Sequence, residues 1–233
     1  MTESPAPATP APLRPDDRAA LPWTVVIPVK GGDRAKTRLR APAGVDHSRL
    51  AIALALDTIA AAAQTVGADH VVVVTGDPVI ATQVAVLGVV VVSDPGGGLN
   101  PAISAGVAHL AAQPMSGGVA VLLGDLASVR PDDLAVALYA AEGHSSAYVP
   151  DAEDSGTVLL VSTTAGDLVP HFGGHSAEAH RAAGFVRLDL DLPRLRRDVD
   201  DEASLRTALC LGVGDHTAAL LAHLMVPDGP PTA

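Results

Sequence analysis

Short apolar runs rich in valine alternate along the chain with longer segments of alanine and leucine. Strands buried on both faces between covering helices leave this pattern. It predicts strands over residues 24–29, 70–75, 89–93, 119–123, 146–149, 157–162 and 185–190. Helices are predicted over 48–66, 78–87, 101–112, 131–141, 176–183 and 202–209. Asn100-Pro101 and Arg130-Pro131 put proline at the first helical position, where its missing N–H costs nothing. The strand–helix succession is regular to about Leu138, and after Tyr148 the rhythm changes to strand, strand, loop, short helix, strand. We read that second part as a sheet extension closing over the site. The expected fold is an α/β three-layer sandwich with a mixed, mostly parallel, Rossmann-like sheet. One domain is expected over residues 22–225, between a disordered leader, 1–21, and a disordered tail, 226–233.

Composition narrows the partners. A chain of 233 residues with 48% apolar content can fill a sizeable core. Its formal net charge of −11 argues against general attraction to nucleic acid or an anionic membrane. At 2% aromatic residues it lacks stacking platforms for single strands. Cys210 is the only cysteine, which excludes an intramolecular disulfide and a thiolate metal cluster. No continuous apolar segment marks the first residues as a secretory signal. Runs such as 89–92 are far shorter than the roughly 20 residues a membrane span needs. A cytoplasmic protein, monomeric or homodimeric, is expected.

Against this acidic background, residues 30–40 concentrate five of the fifteen Lys and Arg directly after the first strand. Backbone N–H groups around Gly31 and Gly32 can form an anion-binding concavity, with Lys30, Lys36 and Arg38 meeting phosphate oxygens. A solvated basic turn is the plain alternative. The spacing is not that of a Walker A loop, which needs glycine where Lys30 and Ala35 stand. A second feature is the buried strand that ends in Gly124-Asp125, where a carboxylate can hold a hard cation or merely begin a turn. Asp198 and Asp200 alternate in an extended segment, so both point to one side and can reach the same cation as Asp125. Asp200 or Asp201 can instead cap the next helix. The glycine-rich run 93–101 brings Gly98 and Asn100 to a helix start, suited to a nucleobase or ribose or serving only as a connector. Ser155-Gly156-Thr157 and the loop from His171 to Ser176 make a pocket for a phosphate or carboxylate. His171, His175 and His180 raise zinc, but Gly173-Gly174 breaks the helical face an i, i+4 pair would need. Cations and paired carboxylates together suggest a magnesium-dependent enzyme acting on a nucleoside triphosphate.

At these residues the chain resembles the guanylyltransferases of coenzyme F-420 biosynthesis, which attach GMP to phosphoenolpyruvate, 2-phospho-L-lactate or a related phosphorylated acid. The resemblance covers nearly all of residues 23–222. It rests on Ile27-Pro28-Val29-Lys30 with Ala35-Lys36-Thr37-Arg38-Leu39, on Gly98-Leu99-Asn100, Gly124-Asp125-Leu126, Ser155-Gly156-Thr157, Phe172-Gly173 with Ser176 and His180, and Asp198-Val199-Asp200. It implies a nucleotidyltransferase fold of the molybdenum-cofactor guanylyltransferase type, and GTP and a phosphorylated acid as substrates. It further implies magnesium on Asp125, Asp198 and Asp200, the acid on Thr157, Gly173 and Ser176, and the nucleotide near Gly31, Gly98, Asn100 and Gly124. Lys30, Lys36 and Arg38 would stabilise the leaving pyrophosphate. The chain departs from the family pattern at Ala127, where proline is usual, at Asp201, where threonine is usual, and at the additional glycine-glycine and His175 of the acid-binding loop. Other acceptors, a sugar phosphate or a molybdopterin, follow the same triphosphate logic. A non-catalytic GTP-binding module would use the cations and leave the aspartates as caps.

Overall fold

The structure, a computed structural model, describes residues 23–30, 39, 41–113 and 117–225. The predicted leader and tail, and Gly31, Lys36 and Arg38, lie outside the described residues. Among the described residues, seven strands form one sheet: β1 (Trp23–Val29), β2 (Val71–Thr75), β3 (Val90–Ser93), β4 (Gly118–Leu122), β5 (Ser146–Pro150), β6 (Thr157–Ser162) and β7 (Val186–Arg187). Their order is β3-β2-β1-β4-β6-β5-β7. Only β6 is antiparallel to its neighbours, so the sheet is mixed and mostly parallel, as the apolar runs predict.

The helices are α1 (His47–Val66), α2 (Pro78–Ala85), α3 (Leu99–Ala111), α4 (Pro131–Ala141), α5 (Ser176–Ala182), α6 (Pro193–Arg196), α7 (Glu202–Leu211) and α8 (Asp215–Met225). Alternation along each strand divides them between two layers. Val25, Ile27, Val73, Leu122 and Val149 face one apolar cluster with Ile59 of α1, Ile80 of α2 and Leu138 of α4. Val26, Val74, Val121 and Tyr148 face the other, with Ile103 of α3, Ala177 of α5 and Phe172. Both faces of the central strands are therefore covered, which explains why they read as unbroken valine runs.

Two expectations are corrected. α3 begins at Leu99, two residues earlier than predicted, so Pro101 sits third in its first turn, where no intrahelical bond needs its N–H. The strand predicted over 185–190 pairs only at Val186 and Arg187, because Leu188, Leu192 and Leu195 turn back into the core. Helices α6 and α8 carry no sequence expectation at all. α8 is nonetheless a structural member: its Leu221 joins Leu50 and Leu54 of α1 in a third apolar cluster.

α1 is long and apolar enough to cross a membrane by length and composition alone, with 61% of its most apolar window buried inside the protein. Its apolar circumference is that of a core helix held between the sheet and the third cluster. A buried carboxylate, Asp57, interrupts it and accepts the backbone N–H groups of His216 (2.8 Å) and Thr217 (3.0 Å) at the start of α8. Burial pushes the Asp57 carboxyl above its usual value, opposed by the hydrogen bonds from Thr217 and His216. Replacing Asp57 with Ala leaves two helix-start donors unmet, at a cost of about 1–3 kcal/mol. Thermal unfolding should show the melting temperature of Asp57→Ala lowered by roughly 3–10 °C. Asp57→Asn, which keeps an acceptor oxygen, should recover part of that loss.

Candidate functional site

β2 and β3 lie on one side of β1 and β4 lies on the other, so the strand order reverses between the carboxyl ends of β1 and β4. Ligands of open α/β sheets bind at such a reversal. Lys30 leaves β1 there, exposed. Gly124 leaves β4 beside it, so close that a Cβ would stand 3.0 Å from the Pro28 carbonyl oxygen and 3.1 Å from a Val29 methyl. Any larger residue would push the two strand ends apart by a few tenths of an ångström. Gly98 lies at the same end of the sheet, after β3, with φ of 111° just before α3.

Asp125 follows Gly124, and its peptide oxygen accepts the N–H of Val199 (3.2 Å). Val199 is fully buried among Leu39, Leu54, Ala127 and Leu205. Because Val199 points inward from an extended segment, its neighbours Asp198 and Asp200 point the other way, toward Asp125. One oxygen from each of Asp125, Asp198 and Asp200 lies within 4.8 Å of the others. Hard oxygen donors at this spacing, near the roughly 3–4 Å of an octahedral oxygen shell, fit a cation such as magnesium. Asp201 is not one of the group: it caps α7, accepting the Ser204 N–H at 2.8 Å, and that bond holds its carboxyl below the usual value.

The loop that carries Asp125 is fastened on both sides. The Leu126 N–H donates to Thr58 Oγ1 on α1 (3.0 Å), and Ser128 Oγ donates to the Ala208 carbonyl of α7 (3.0 Å). Arg196, just upstream of Asp198, ties that segment to the β5–β6 hairpin through the Asp151 carbonyl (2.7 Å) and the Asp154 carboxylate (2.7 Å). Arg187 shares Asp154 and holds its carboxyl below the usual range. Within the hairpin, Asp151 accepts the N–H groups of Ser155 (2.9 Å) and Gly156 (2.7 Å), which sets the approach to Thr157.

Because β6 is antiparallel, its first residue, Thr157, sits at the same end of the sheet as Asp125. Its Oγ1 lies 2.9 Å from Nδ1 of His180, whose Nε2 accepts the backbone N–H of His171 at 3.0 Å. His180 is fully buried, with its ring against Phe172 and Phe185. Burial lowers its pKa to about 4, aided by the nearby charge of His171. Both ring nitrogens are thus engaged, and His180 offers no ligand atom to zinc. Asn100 bridges to the same loop: its Nδ2 donates to the Phe172 carbonyl (2.9 Å) and its Oδ1 accepts the Phe172 N–H (2.8 Å). Asn100, read from the sequence as a nucleotide contact, is seen here as a clamp between α3 and the 171–176 loop. Gly173, at φ 143°, and the buried Ser176 belong to that loop. The sequence reading weighed His180 for zinc and as part of the family pattern and not as a partner of Thr157, although its place four residues after Ser176 puts both on one helix face.

The buried imidazole has a solution consequence. Between about pH 4 and pH 6.5 the unfolded chain takes up a proton at His180 that the folded chain refuses, so stability must fall as pH drops through that window. Urea unfolding should show about 2 kcal/mol lost at this position between pH 7 and pH 5, a difference that His180→Asn should remove.

Known proteins agree with this architecture. The MobA-like NTP transferase domain family matches residues 50–199. A phosphoenolpyruvate guanylyltransferase of Geodermatophilus obscurus is 48% identical over 89% of this chain and 97% of its own length. Its counterpart in Streptomyces avermitilis is 47% identical over 88% and 96%. Among solved structures, a nucleotidyl transferase from Methanothermobacter thermautotroptrophicus aligns with a TM-score of 0.53 at 16% identity, covering 81% of this chain and 97% of that one. A 4-diphosphocytidyl-2C-methyl-D-erythritol synthase gives 0.52 at 15% identity, covering 81% and 98%. The two structures share the fold, and the close relatives narrow it: this chain is a nucleotidyltransferase and belongs to the phosphoenolpyruvate guanylyltransferase family.

Proposed function

We propose that the enzyme transfers GMP from GTP to the phosphate of phosphoenolpyruvate, or of 2-phospho-L-lactate, and releases pyrophosphate, as a step in coenzyme F-420 biosynthesis. The observation that carries this reading is the meeting of Asp125, Asp198 and Asp200 at the strand-order reversal, beside Lys30. The relatives' name supports phosphoenolpyruvate as the acceptor ahead of 2-phospho-L-lactate. Support for a second, acidic substrate comes from Thr157 and Ser176, two buried hydroxyl residues on the β6 side of the metal-binding carboxylates.

An oxygen of the acceptor phosphate attacks the α-phosphorus of GTP. The bond from that phosphorus to the oxygen bridging toward the β-phosphate breaks, and pyrophosphate departs with the electron pair. The attacking oxygen is already ionised at neutral pH, so no general base is assigned. Positioning and charge neutralisation are left as the sources of rate. Asp125, Asp198 and Asp200 would hold magnesium, which when bound neutralises charge on the triphosphate. Lys30 supplies a positive charge at the end of β1, and Lys36 and Arg38 are assigned the same task from the sequence. Thr157, Gly173 and Ser176 are assigned to the acceptor, and Gly31, Gly98 and Gly124 to close backbone approach by the nucleotide.

Asp198→Asn keeps the side chain's shape and removes its charge, so pyrophosphate release from GTP and phosphoenolpyruvate should fall by about 10²-fold or more. The melting temperature should stay near that of the parent. Chelation should abolish wild-type turnover and added magnesium should restore it. Turnover of wild-type size in Asp198→Asn would remove the metal assignment, and GTP binding without any pyrophosphate would leave a binding module. A panel of phosphorylated acids, sugar phosphates and molybdopterin, with products identified by mass, decides the acceptor.

A further inference from the structure

We propose that His180 is a positioning residue for the acceptor: with its proton held on Nδ1, it makes Thr157 Oγ1 a hydrogen-bond acceptor and so commits that hydroxyl's own proton to an anionic oxygen of the bound phosphorylated acid. The inference rests on the acceptor reading above and deepens it. A neutral imidazole has one donor and one acceptor nitrogen. Nε2 faces a backbone N–H, that of His171, which can only donate, so Nε2 is the acceptor and the proton sits on Nδ1. Nδ1 therefore donates to Thr157 Oγ1, 2.9 Å away. The threonine must direct its own proton elsewhere, yet it makes no other hydrogen bond among the described residues.

A buried donor without an acceptor is costly unless a ligand supplies one. Thr157 is 1% exposed, so bulk water is a poor substitute. Ser176 lies one turn before His180 on the same face of α5, buried, and its hydroxyl makes no hydrogen bond among the described residues. Two hydroxyls with unused capacity, one of them locked in orientation, fit a phosphate or carboxylate with several acceptor oxygens. The same imidazole holds the loop through the His171 N–H, and Asn100 holds the next peptide, so loop position and hydroxyl direction are set by one ring and one amide.

Amide replacements separate the two ring contacts. Asn places its amide nitrogen near the position of Nδ1 and can still donate to Thr157. Gln places its amide oxygen near Nε2 and can accept only from His171. His180→Gln and Thr157→Val should each raise KM for the phosphorylated acid by about tenfold or more while KM for GTP stays within about twofold. His180→Asn should stay within about threefold of the parent, and His180→Gln combined with Thr157→Val should be no worse than Thr157→Val alone. Parallel rises in both KM values, or additive losses in the double variant, would overturn the inference. Proton–nitrogen correlation NMR of the histidine rings reads it without any turnover: the Nδ1–H form is expected, and an Nε2-protonated His180 overturns it whatever the acceptor. Should the parent enzyme ignore phosphoenolpyruvate and guanylylate another phosphorylated compound, the acceptor assignment falls, and the KM comparison is made on that compound.

Discussion

Everything at the proposed metal site depends on the burial of one valine. Val199 has no hydrogen-bonding side chain and no regular secondary structure around it, yet it is enclosed by residues from α1, α7, α8 and the loop after β4. Burying such a side chain is worth about 1.5–3 kcal/mol, enough to fix the register of a short extended segment. The bond from its N–H to the Asp125 carbonyl sets the direction, and the two flanking carboxylates are turned to the same side as a result. Apolar packing on one face of a segment thus assembles a charged cluster on the other.

The two halves of the site are built by different means. On the side proposed for the nucleotide, parallel strands end together and a glycine brings β4 against β1, so the geometry follows from the sheet. On the side proposed for the acceptor the sheet contributes only the start of β6. The rest is a loop and a seven-residue helix, held by the buried His180, by Asn100 and by Asp151. Arg196 joins the halves, bonding the hairpin from the residue pair that precedes Asp198. A nucleotidyltransferase fold common to many enzymes therefore carries, beside the strand-order reversal, a locally built loop and helix to which the second substrate is assigned under the proposed function.

Much of the fold was legible because periodicity reports burial directly. Valine runs marked strands covered on both faces, and the longer alanine and leucine segments marked six helices to within two residues at each end. α8 was missed because its reason to exist is tertiary. Its start is capped by Asp57, a residue far upstream, and its apolar positions matter only against α1. The strand predicted over 185–190 failed for a related reason: alternating leucines satisfy a turn into the core as well as they satisfy a strand.

The sequence by itself determined the kind of layers, the cations after the first strand and the carboxylates that a metal would need, since these follow from local pattern and residue chemistry. It also left Asp200 open as a cation ligand or, like Asp201, as the cap of the next helix. Only the tertiary structure decided between those roles, because Ser204 and the start of α7 take the Asp201 carboxylate while Val199 turns its neighbours toward Asp125. It likewise places the His171 N–H at Nε2 of His180, on which the proposed tautomer rests. Periodicity records which side of a residue is buried; which distant group waits there is a property of the packed chain alone.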